Sequence, residues 1–170
     1  MEPEFVFEAP GPGAWSNLDM VTANHEAAHA TMASILGVEI FEARIDRPLG
    51  PGRHSYGGWV RMARAEDGRK AVLLSIAPVV LEDRVPATRP SLMSDDGDEF
   101  DAAVFVYDSG MSEEEWTETI EIARGLLAMP SAKRALKAVS GALLARGAIP
   151  GVEVKQILTD AEALSTSGDA

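Results

Sequence analysis

Apolar and polar positions follow two periods along this chain, and the periods divide it into elements. Leu18, Val21, His25, Ala28, Met32 and Ile35 recur at spacings of three and four, the period of a helix. Ser16 suits its N-cap, Asp19 favours its first turn and Gly37 supplies a stop, so a helix is expected over about 17–36. Val38 to Ile45 is β-branched and partly alternating, and Gly58 to Met62 follows a Pro/Gly loop at 46–56; these read as two paired strands. A second helix is expected over about 66–84, with the apolar run Ala71 to Leu81 kinked by Pro78. A third starts near Asp96 and runs to about Tyr107. Ser112 and Glu115 form a capping box for a fourth, ending before Pro130. Ser131 caps a fifth, ending at Gly147, and a sixth covers about 152–164.

The expected fold class is α+β, mostly helical, with a small sheet beside the first helix. Residues 1–15, rich in Pro and Gly, read as an extended lead-in; 16–164 form one domain; 165–170 form a frayed tail. Trp116 and the methionines read as core residues.

Composition narrows the chemistry. The chain has 170 residues, a length for one domain with a real core. It has no cysteine, so any metal must be held by His, Asp or Glu. A net charge of -12 argues against a nucleic-acid partner and against anionic membrane surfaces. No apolar run approaches the roughly 20 residues of a spanning helix, and Glu2, Glu4 and Glu8 stand where a signal peptide carries basic residues. The expected location is the cytoplasm.

The chemistry sits in His25-Glu26-Ala27-Ala28-His29, an HExxH sequence on the first helix. Two of the chain's three histidines lie in it. The i, i+4 spacing puts both imidazoles on one helix face, where they can reach one zinc ion, and Glu26 beside them can accept a proton from an activated water. The long metzincin motif is excluded, because Met32 and Ile35 stand at its glycine and third histidine. His54, the remaining histidine, reads as a solvated loop residue.

His25 to Ala30 resembles the HEAGHA motif of FtsH-type zinc metallopeptidases, the M41 family. The resemblance continues in order. Tyr56 to Val60 falls at that family's glycine-marked strand, and Leu73 to Asp83 at a helix of the type AVLLGGRAAEEL. Ser94 to Ala102 resembles its GASNDLxxA segment, and Leu143 to Leu158 its LLxxxxLxxxEIxxIL ending. It implies a zincin-like fold, a zinc cofactor and an aspartate as third ligand, to be chosen among Asp95, Asp96, Asp98 and Asp101. The family pattern has Ala four residues after the ligand, which Asp98 and Ala102 satisfy, and Asp98, Ala102 and Phe105 share a helix face. Asp95 and Asp96 read better as N-cap and first-turn acids, and Asp101 as a solvated helix residue.

The expected function is zinc-dependent hydrolysis of peptide bonds in peptides or flexible protein segments. Gly57, Gly58 and Trp59 are the candidate substrate-binding edge, with a turn and a core tryptophan as the plainer reading. The alternative function is a catalytically silent metal-binding or partner-binding module on the same fold. Ala28 stands where the family has Gly, and no Walker A loop is present. Any ATPase would therefore be a separate partner chain. A homo-oligomer, as FtsH-type proteases form, stays open.

Overall fold

The computed structural model describes residues 17–46, 57–94 and 96–166. They form α1 (Asn17–Ile35), β1 (Ile40–Asp46), β2 (Gly57–Met62), α2 (Gly68–Leu81), α3 (Gly97–Ser109), α4 (Glu113–Ala128), α5 (Pro130–Arg146), β3 (Ala148–Pro150) and α6 (Gly151–Thr166). The fold is mostly helical with one three-stranded antiparallel sheet, in the order β2-β1-β3. The lead-in, Ser16, His54 and Asp95 lie outside the described residues. No described helix is long and apolar enough to cross a membrane.

α1 is the central element. On one side Ala28, Met32 and Ala33 pack with Val72 and Ile76 of α2, Val106 of α3 and Trp116 of α4. On the other, Ala23, Ala27 and Ala30 meet Val139 and Leu143 of α5, Val154 of α6 and Ile45 of β1. A helix with partners on two sides does not keep a single apolar stripe. That is why the expected stripe fails at Val21, which is 53% exposed, while alanines fill the buried faces and let neighbours approach. α1 ends as expected at Gly37, whose φ of 70° allows Val38 N–H to bond the Ala33 carbonyl at 2.8 Å and Gly37 N–H that of Ser34 at 3.1 Å.

Three further expectations need correction. β3 was not foreseen; it pairs Ala148 to Pro150 with β1, and three residues are too few to show a period. Ser131 is not a cap: Pro130 opens α5, with Met129 at the cap position and no side-chain hydrogen bond there. The methionines are not uniformly core. Met32 and Met111 are buried, but Met20 and Met129 are not, and Met93 is 88% exposed. The capping box of Ser112 and Glu115 is formed as the sequence implies, and Trp116 is buried.

Gly57 and Gly58 lie in β2, opposite Asp46 and Ile45, so they are strand residues and not a turn. Trp59 is not a core residue either. It is 36% exposed, and the Arg44 guanidinium lies 5.7 Å from its ring centre.

Candidate metal centre

Helical spacing places His25 and His29 one turn apart on α1, with ring centres 5.2 Å apart. The third group comes from α3. Asp96 caps that helix: its Oδ1 accepts from the N–H of Asp98 at 3.0 Å and of Glu99 at 3.2 Å. Asp98 therefore stands in the first turn, where the helix dipole favours a carboxylate. Its Oδ2 lies 2.8 Å from His25 Nε2 and its Oδ1 3.3 Å from His29 Nε2. Of the three candidate aspartates among the described residues, Asp98 is the one grouped with both histidines; Asp96 is a cap, and Asp101 lines the cavity wall one turn further on.

Both histidines are held from behind. His29 Nδ1 meets the carbonyl oxygen of Leu74 at 2.8 Å, and His25 Nδ1 meets Glu82 Oε1 at 3.1 Å. A carbonyl can only accept, so His29 Nδ1 carries a hydrogen and its Nε2 faces Asp98. Metal-ligating histidines characteristically give their second nitrogen to such an acceptor. Glu82 is held in turn: Arg84 Nε donates to its Oε2 at 2.6 Å, and Arg84 Nη1 donates to Asp96 Oδ2 at 2.8 Å. One run of hydrogen bonds thus joins His25 to the cap of the helix that carries Asp98.

Arg84 reaches Glu82 because α2 ends in a tight reversal. Arg84 N–H bonds the Val79 carbonyl at 2.9 Å and Asp83 N–H that of Val80 at 3.2 Å, with Asp83 at a φ of 53°. Glu82 and Arg84 had no signal in local spacing. Their roles depend on how the end of α2 packs against α1 and α3.

The three ligand atoms lie within 4.8 Å of one another. Ligands at 2.0–2.1 Å from a tetrahedral ion sit roughly 3.3 Å apart, so the group could hold a metal ion. Two neutral imidazole nitrogens and a carboxylate oxygen also suit a divalent transition ion by their chemistry. In the metal-free protein the same groups form a charged cluster. Burial works against a charge on His25, but the hydrogen bonds to Asp98 and Glu82 and the nearby Glu26 outweigh it and raise its pKa from 6.5 to about 9. Burial also works against the Asp98 carboxylate, yet its bonds to His25 and His29 hold it well below the usual range.

Glu26 is 4% exposed and lies beside both histidines at a cavity of about 410 Å³. One wall is β2 from Gly58 to Met62, with Ala63 just beyond it; the others include Leu74 and Ser75 of α2 and Asp101 and Phe105 of α3. The proposed edge residues Gly58 and Trp59 therefore line the cavity, and Gly57 lines an adjoining depression. The chain matches no protein-family model and no curated protein. The likeness to FtsH-type peptidases thus stands on its motif residues.

Proposed function

We propose that the protein is a zinc-dependent peptidase of the FtsH-like, zincin-like kind, with His25, His29 and Asp98 as ligands and Glu26 as general base. The observation that carries this reading is the meeting of the Asp98 carboxylate with the Nε2 atoms of both HExxH histidines. Zinc bound there would supply Lewis acidity to a water and to the scissile carbonyl. Glu26 would take the proton of the attacking water and give it to the departing amine. It is 4% exposed and lines the same cavity as both histidines, which places it beside the ion and the water it would serve.

The substrate is held by backbone. Among the described residues β2 pairs only with β1, and Gly58, Trp59, Val60 and Met62 of β2 line the cavity. An extended peptide can add to the other edge of β2, with one side chain entering the apolar end near Leu74 and Phe105. Peptides and flexible segments fit this requirement, because the backbone must be extended to pair.

Hydrolysis of a peptide library by zinc-loaded protein, beside Glu26→Gln, tests the proposal. Cleavage in the wild type, lost in the variant with zinc retained, supports it. Zinc retained with no cleavage in either would leave the silent metal-binding module. No zinc in either would remove both readings.

A further inference from the structure

Pro78 lies in the interior of α2 and is buried. Proline is the least favourable residue at such a place, because it has no N–H for the helix ladder and its ring crowds the carbonyl four residues back. That carbonyl belongs to Leu74. In an uninterrupted helix it would accept from the amide of residue 78. Here it meets His29 Nδ1, at 2.8 Å. The oxygen that Pro78 leaves without its i+4 amide is the oxygen that holds the second HExxH histidine.

We infer that Pro78 is a positioning residue of the metal site, which keeps the Leu74 carbonyl out of the helix ladder so that it can orient His29. The inference rests on the zinc reading above. The missing N–H removes the amide that would compete for this carbonyl within the helix. The carbonyl accepts from Nδ1, which leaves Nε2, the nitrogen on the Asp98 side, as the atom that would bind zinc. An N–H at position 78 would share the same acceptor. Its weaker hold on His29 is expected to loosen zinc, while the helix itself improves. A proline that merely bends α2 predicts the helix effect without the zinc effect.

Two variants separate the ring from the missing hydrogen. Pro78→Ala restores an amide. The α-hydroxy-acid analogue of alanine at position 78 gives an ester, which lacks both ring and N–H. Zinc affinity is measured by competition with a chromophoric chelator, and thermal stability on the metal-free proteins. The expected result is about tenfold weaker zinc binding in Pro78→Ala, at the low end for outer partners of a ligand, with an unchanged or higher melting temperature. The ester is expected to bind zinc within about twofold of wild type. Equal affinity in wild type and Pro78→Ala overturns the inference, and so does an ester that binds as weakly as the alanine variant. If Pro78→Ala does not fold, the ester alone decides: wild-type affinity supports the inference and weak binding overturns it. A wild type that takes up no zinc overturns the metal reading itself, a distinct outcome.

Discussion

Glu26 fills the space in which residue 58 would carry a side chain. A Cβ on Gly58 would lie 2.6 Å from Glu26 Cγ, 2.7 Å from Glu26 Oε1 and 2.7 Å from the Arg44 carbonyl oxygen. The space beside this glycine is therefore taken by the proposed general base. One of the three contacts is backbone, so the strand cannot yield without disturbing its pairing. Gly58→Ala is predicted to cost about 1–3 kcal/mol of stability, the usual range for overpacking. It should lower hydrolysis much more than zinc content, since Glu26 moves and the ligands do not. Chemical denaturation, zinc content and activity of the one variant check this together.

Asp98→Ala removes the carboxylate that joins the two imidazoles. Zinc content is predicted to fall to background, while Asp101→Ala keeps about one zinc per chain. Metal analysis of the two proteins side by side decides between the aspartates. Loss from the Asp101 variant alone would move the third ligand.

The metal-free protein should show a pH signature. His25 is raised from 6.5 to about 9, so its contribution to stability is full below pH 6.5 and is lost as pH rises through about 9. Asp98 is lowered from 3.8, so its contribution is present above that value and is lost as pH falls. Melting temperatures of chelator-treated protein should decline on both sides of the interval between those limits. Zinc must displace the His25 proton, so at pH 7 binding should release about one proton and tighten as pH rises towards 9. Calorimetry in two buffers of different ionisation enthalpy reads the proton directly.

How much of this was legible in the sequence follows from how local each feature is. His25, Glu26 and His29 are set by spacing within one helix, and Asp98 was chosen through the family pattern that the resemblance implies; the structure groups His25, His29 and Asp98 where they could hold a metal ion. The orienting groups are not local. The Leu74 carbonyl and Glu82 stand 45 and 57 residues from the histidines they hold. Pro78 was readable as a helix defect, but its effect on Leu74 needed the packing of α2 on α1. Val21 misled because a helix buried on two sides has no single stripe, and β3 because three residues carry no period.

Asp83 is strained independently of any ion. Its φ of 53° places a non-glycine residue at the left-handed position that ends α2. Asp83→Gly is predicted to raise stability by about 0.5–1 kcal/mol. Zinc affinity should stay unchanged, because the reversal that presents Arg84 to Glu82 is kept. Denaturant unfolding of the metal-free proteins checks the first statement and chelator competition the second.

The central claim is that this chain holds one zinc ion through its HExxH histidines and Asp98. Its most direct test is metal content by mass spectrometry on purified wild type, Glu26→Gln and His25→Ala, each incubated with zinc and desalted. About one zinc per chain in the first two and background in the third is the predicted result. No zinc in the wild type, or equal zinc in all three, would contradict it.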